Sequence, residues 1–163
     1  MSKPVIVADS GPLIALAKCH QLTLLSKVFG EIHLPEAVLR EVTGNSALPG
    51  ALAVAEFVRE SGRVHPDRND DYYQDFRIVL DEGESQALSL ARALQCGILL
   101  DDRRGRIIAA EQGIPLFGLL GVLLEAKRLG FIEAVSPIVD HLLAHDYRLS
   151  AKLVAAVLCE AGE

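Results

Sequence analysis

The 163-residue sequence contains no tryptophan, one methionine and three cysteines, and aromatic residues make up only 5% of it. Cys19, Cys96 and Cys159 are too widely spaced to form a CxxC pair or a mixed Cys/His zinc-ligand pattern. Their odd number argues against a disulfide framework and is typical of a reducing cytoplasm. These absences exclude a zinc-binding module and a disulfide-stabilised secreted domain.

Long apolar runs are absent as well. The longest, from Ile114 to Leu124, is about half a membrane span and is interrupted by glycines. The segment Met-Ser-Lys-Pro and the four apolar residues after it are too short for a signal peptide. We therefore expect a soluble, cytoplasmic protein without membrane contact.

Composition and length predict one globular domain that spans residues 1–163. Half of the residues are apolar and 23% are charged, which is ordinary for a protein with a single buried core. The net charge of −6 argues against broad electrostatic capture of nucleic acid. The slightly positive mean hydropathy, +0.29, favours an apolar face that is covered in a homodimer.

Short apolar runs alternate with helical patterns, which predicts a parallel sheet flanked by helices. The predicted strands are Val5–Ala8, Glu31–Leu34, a brief one at Val64, Ile98–Leu100 and Ile114–Phe117. The polar segment Asp67–Asp75 reads as a loop or a frayed helix, and Ser136 and Ser150 read as helix N-caps.

Four groups of acidic residues follow predicted strands or lie on predicted helices. They are Asp9, Glu41, Glu84 and the pair Asp101–Asp102. Ligands of open parallel sheets bind beyond the carboxyl ends of the strands, so we expect these side chains to converge. Carboxylates that converge repel one another, and a hard divalent cation supplies the counter-charge. Oxygen-only ligation suits Mg²⁺ or Mn²⁺, and such a site points to cleavage of phosphodiester bonds.

Each acidic residue also has a simpler explanation. Asp9 and the Asp101–Asp102 pair could cap the helices that follow them, and Glu84 stands three residues after Asp81, as in a capping box. Glu41 could be an ordinary, partly exposed helix residue. The basic residues Arg103, Arg104 and Arg106 could hold phosphates or form a solvated helix start.

Five sequence blocks, in this order, resemble PIN-domain proteins. They are VIVADSGPLIALAK, LPEAVLREV, LDEGESQALSLA, ILLDDRRGRIIA and GLLGVLLEAKRLGFI. The chain is most similar to a prokaryotic subfamily of uncharacterised PIN-like proteins, and the resemblance covers nearly its whole length.

The resemblance implies a three-layer α/β/α fold with a central, mostly parallel sheet of four to five short strands. It also implies a metal-dependent ribonuclease that uses Mg²⁺ or Mn²⁺. Many relatives of this kind are the toxin of a toxin–antitoxin pair, and they tend to form dimers. The implied partners are RNA, a second copy of the chain and a small antitoxin protein.

The resemblance implies roles for individual residues. Asp9, Glu41, Glu84 and Asp102 match the catalytic acids. Asp9, Glu84, Asp101 and Asp102 match the metal ligands. Ser10 matches a hydroxyl residue beside the first acid. Apart from the resemblance, the position of Arg103, Arg104 and Arg106 beside Asp101–Asp102 suits contacts with substrate phosphates.

One departure from the family pattern supports an alternative. Many PIN nucleases carry a further acid after the last strand, where this chain has Phe117-Gly118-Leu119. The alternative is a catalytically weak or inactive PIN-like module that binds nucleic acid or protein. DNA and phosphomonoesters are the less favoured substrates of an active enzyme.

Overall fold

A computed structural model describes residues 2–163 and contains one five-stranded sheet in which every strand pairing is parallel. The strands are β1 (Val5–Ala8), β2 (Glu31–Pro35), β3 (Gly62–His65), β4 (Gly97–Leu99) and β5 (Leu116–Phe117). Their order across the sheet is β3-β2-β1-β4-β5. The predicted parallel sheet is therefore confirmed.

Ten helices in residues 2–163 connect and follow the strands, and with the sheet they form the predicted three-layer fold. The helices are α1 (Ser10–Lys18), α2 (Thr23–Val28), α3 (Glu36–Thr43), α4 (Ala51–Ser61), α5 (Asp71–Phe76), α6 (Glu82–Leu94), α7 (Arg103–Glu111), α8 (Leu119–Arg128), α9 (Ser136–Ala144) and α10 (Ala151–Glu160). No helix in this part of the chain is both long and apolar enough to cross a membrane.

The centre of the sheet is the centre of the core. Strands β1 and β4 pair side by side, and Ile6, Val7, Ile98 and Leu99 are fully buried. Because helices cover a parallel sheet, its central strands are apolar on both sides rather than alternating. The short continuous apolar runs of the sequence have this origin.

The carboxyl ends of β1 and β4 lie next to each other, at the point where the order of strands reverses. The chain passes outward from β1 through β2 to β3, and then returns to form β4 on the other side of β1. The amide of Asp9 donates a hydrogen bond to the carbonyl of Leu99, at 3.0 Å. Residues that follow these two strands are thereby held at one rim of the sheet.

Three local predictions differ from the structure. The polar segment before α6 contains a helix, α5, because the Asp70 side chain accepts a hydrogen bond from the Tyr73 amide at 2.8 Å and caps it. Ser136 lies inside α9 rather than capping it, whereas Ser150 caps α10 as predicted. The last strand is shorter than the predicted Ile114–Phe117.

Candidate metal centre

Asp9 lies directly after β1, and only 5% of its surface is exposed. It occupies the N-cap position of α1, but its side chain makes no capping hydrogen bond. Its Oδ1 atom is buried without a hydrogen-bond partner in residues 2–163. The pKa of Asp9 is raised to about 8, mainly by burial and also by the charges of Glu84, Glu41 and Asp81, while the Ser10 amide acts in the lowering direction. Capping therefore does not explain this carboxylate.

Glu84 lies in the first turn of α6, where it forms a capping box and also lies near other acidic residues. The capping box is confirmed: the Glu84 amide donates to Asp81 Oδ1 at 2.8 Å, and the Asp81 amide donates to Glu84 Oε2 at 3.4 Å. Burial also raises the pKa of Glu84 to about 7, and the nearby charges of Asp81, Asp102 and Glu41 act in the same direction. Glu84 thus caps its helix and faces the other acids.

Glu41 reaches the same region from α3, which packs against α6. The residue as a whole is exposed, but its carboxyl end is partly shielded from water. This burial raises the pKa of Glu41, and a hydrogen bond with the Ser10 side chain lowers it. Ser10 is itself buried and is the residue directly after Asp9, so this interaction links Glu41 to the surroundings of Asp9.

The pair Asp101–Asp102 divides between two environments. Asp102 caps α7 by accepting a hydrogen bond from the Gly105 amide at 2.9 Å, and its charge raises the pKa of Glu84. Asp101 is mostly buried, and its Oδ2 atom has no hydrogen-bond partner in the described chain. Burial raises the pKa of Asp101 to about 6, while the Leu119 amide and the charge of Arg106 lower it.

The three arginines of the α7 start are exposed beside Asp101. Arg103 and Arg106 line an open depression of about 380 Å³ together with Asp101 and Ile107. The guanidinium of Arg106 also lies close to Gly118, at the start of α8. The position agrees with either sequence hypothesis, a phosphate contact or a solvated helix start.

A family model described as PIN domain matches residues 5–163. This chain belongs to the PIN-domain family. A comparison with curated proteins gave no match.

Solved structures agree with the PIN fold. A PilT N-terminus domain protein from the hyperthermophilic archaeon Sulfolobus solfataricus P2 is 14% identical, with a TM-score of 0.51, and the alignment covers 75% of this chain and 92% of that one. VapBC2 from Rickettsia felis, bound to a DNA fragment from their promoter, has a chain that is 13% identical, with a TM-score of 0.50. That alignment covers 70% of this chain and 98% of the other. At these identities the likeness concerns the fold alone.

The rim of the sheet at which β1 and β4 end has more acidic residues near it than the sequence indicated. The charges of Glu84 and Glu41 raise the pKa of Asp9, and the charges of Asp102 and Glu41 raise the pKa of Glu84. Asp81 belongs to this acidic set too, because its charge raises the pKa of Asp9, Glu41 and Glu84. We define these five carboxylates as the acidic cluster; Asp101 faces Arg106 instead. The capping position of Asp81 was readable from the sequence, but its closeness to Asp9 was not.

The donors of the acidic cluster suit a hard divalent cation. All are carboxylate oxygens, and the buried Oδ1 of Asp9 has no partner in the described chain. In residues 2–163 as placed, no three His, Cys, Asp or Glu side chains are close enough to ligate one ion. Shared ligation therefore requires rotation of at least one of these side chains.

Proposed function

We propose that this PIN domain is a metal-dependent endoribonuclease that hydrolyses RNA phosphodiester bonds with Mg²⁺ or Mn²⁺. The observation that carries the proposal is the buried carboxylate of Asp9, whose Oδ1 atom has no hydrogen-bond partner in the described chain, among other acids. A buried ionised group is costly unless it is paired or ligates a metal. Membership of a family whose members are generally nucleases supports the same activity.

The proposed roles follow from position. Asp9, Glu84 and Asp102 would hold the cation, and when bound it would activate water and stabilise the charge on the leaving oxygen. Glu41, oriented by the Ser10 hydroxyl, would accept hydrogen bonds from water at the edge of the site. Arg103, Arg104 and Arg106 would contact the backbone phosphates of RNA.

Asp101 would take the place of the acid that many PIN nucleases carry after the last strand. The amide of Leu119, the residue that begins α8 just after β5, acts on Asp101 and lowers its pKa. One of its oxygens is left without a partner in the described chain. The side chain that follows β4 thus reaches the position that follows β5, and would supply a ligand there.

Two partners belong to the proposal. A small antitoxin protein is supported by the likeness to a chain of VapBC2. A homodimer is supported by exposed apolar side chains such as Ile78, of which 81% is exposed, and Leu52, of which 69% is exposed.

The test is cleavage of single-stranded RNA by the purified protein with Mn²⁺, with and without a chelator. We expect cleavage to stop in chelator and to fall at least a hundredfold in Asp9→Asn and in Glu84→Gln, because each removes a charged donor. Activity that survives both substitutions would exclude this site.

A matched control is Glu82→Gln, which removes the same charge from the same helical turn. Glu82 contacts Tyr73 and Arg77 rather than the acidic cluster. We expect this variant to cleave RNA at the wild-type rate, which separates loss of a donor from a change in net charge.

A further inference from the structure

Gly83 lies in the first turn of α6, buried against the carboxyl end of Glu41. A Cβ atom placed on Gly83 would lie 2.6 Å from Glu41 Oε2, and 3.7 Å from both Asp81 Oδ1 and Val38 Cγ2. The first distance is shorter than any carbon–oxygen contact that packing allows. Glu41 can therefore occupy its place only if residue 83 has no side chain.

The fold itself does not require glycine at this position. Gly83 has the ordinary backbone angles of a helix, and alanine is favoured over glycine inside helices. The only severe contact is with the end of a flexible side chain, which can rotate away at little cost. By contrast, Gly121 in α8 has open space around its missing Cβ. The space beside Gly83 is therefore needed for the Glu41 carboxylate and not for the helix.

The arrangement holds Glu41 from two sides. The Ser10 hydroxyl lies close enough to lower the pKa of its carboxyl group, and the gap at Gly83 admits one of its oxygens between α3 and α6. This is the position in which the charge of Glu41 acts on Asp9. If a methyl group filled the gap, Glu41 would turn outward into solvent and leave the acidic cluster.

We infer that Gly83 is a positioning residue, whose missing side chain places the Glu41 carboxylate in the acidic cluster. Its effect on cation binding rests on the function proposed above, whereas its effect on Glu41 does not. The missing side chain thus serves the site rather than the helix. Alanine at this position is expected to preserve the fold and weaken the site.

The test is a double-mutant cycle that combines Gly83→Ala with Glu41→Asp, with Gly121→Ala as the control. Calorimetry with Mn²⁺ alone measures affinity. We expect Gly83→Ala to weaken binding about tenfold, the size typical of residues that orient ligands. In the Glu41→Asp background the same substitution should have little effect, because the shorter side chain no longer meets the added methyl. Gly121→Ala should bind as the wild type does.

A crystal structure of the Gly83→Ala protein gives a readout that needs no metal. The inference predicts Glu41 turned away from Ser10 on an unchanged backbone. It is overturned if Glu41 stays in place, or if Gly83→Ala costs equal affinity in both backgrounds. A wild-type protein that binds no Mn²⁺ would instead refute the proposed function, and the crystal structure would still decide the role of Gly83.

Discussion

At the scale of single residues, the central feature is the buried carboxylate of Asp9, one oxygen of which has no hydrogen-bond partner in the described chain. The backbone of Asp9 is held at the end of the central strand by the hydrogen bond of its amide to the Leu99 carbonyl, and only 5% of the residue is exposed. Burial and neighbouring acids favour its neutral form, with a pKa of about 8. Without a cation, the site therefore keeps protons at neutral pH that a cation would displace.

This retention predicts how the stability of the metal-free protein depends on pH. Unfolded Asp and Glu have pKa values of about 3.9 and 4.3, whereas folded Asp9 and Glu84 have values of about 8 and about 7. Between the unfolded and the folded pKa values, the folded state binds more protons than the unfolded state. The free energy of unfolding is therefore greatest at low pH and falls as pH rises through 7 to 8. For Asp9 the slope approaches about 1.4 kcal/mol per pH unit. Urea unfolding in chelator from pH 5 to 9 measures it.

The Asp9→Asn protein is the control for that slope. Asparagine keeps the shape but cannot ionise, so its free energy of unfolding should change less with pH. It should exceed the wild-type value at pH 8.5 and lie close to it at pH 5. Equal slopes in the two proteins would show that Asp9 is not the titrating group.

At the scale of elements, the first turn of α6 combines a helix cap with part of the acidic cluster. The spacing of Asp81 and Glu84 predicted the cap, and the structure confirms it. The closeness of Asp81 to Asp9 and the gap at Gly83 depend on how α3 packs against α6, which no local pattern encodes. Asp101 and Asp102 likewise lie in different environments, because only Asp102 caps α7. Local signals were predictable, and contacts between helices were not.

Asp81 allows the two contributions of this turn to be separated. At pH 5, where Asp9 and Glu84 are largely protonated, Asp81→Ala should lower the free energy of unfolding by about 1 kcal/mol, because α6 loses its cap. Asp81→Asn should lower it by only a few tenths, because the amide oxygen still accepts the hydrogen bond of the Glu84 amide. Urea unfolding gives both values. If the two variants are equally destabilised, the cap is not what Asp81 contributes.

At the scale of the whole molecule, the alternation of strand and helix patterns predicted the fold. The ends of the predicted strands predicted which rim of the sheet carries the site. The apolar runs that end at Ala8 and Leu99–Leu100 predicted the central strands, because buried parallel strands are apolar on both sides. Asp9 and Asp102 follow these strands; the charge of Glu84 raises the pKa of Asp9, and the charge of Asp102 raises the pKa of Glu84. Side-chain rotation could not be predicted, because it depends on mutual repulsion and on what binds. Whether the acidic side chains lie near one another and whether they ligate one cation are therefore separate questions.

The central claim is that a divalent cation replaces protons in a cluster of acids that cannot all ionise together. Calorimetric titration with Mn²⁺ at pH 6.5, in two buffers of different ionisation enthalpy, counts the protons released for each ion bound. We predict binding with release of about one proton or more, since Asp9 and Glu84 must ionise to ligate. Asp9→Asn should bind far more weakly. The absence of binding to the wild-type protein, or binding with no proton release, would contradict the account.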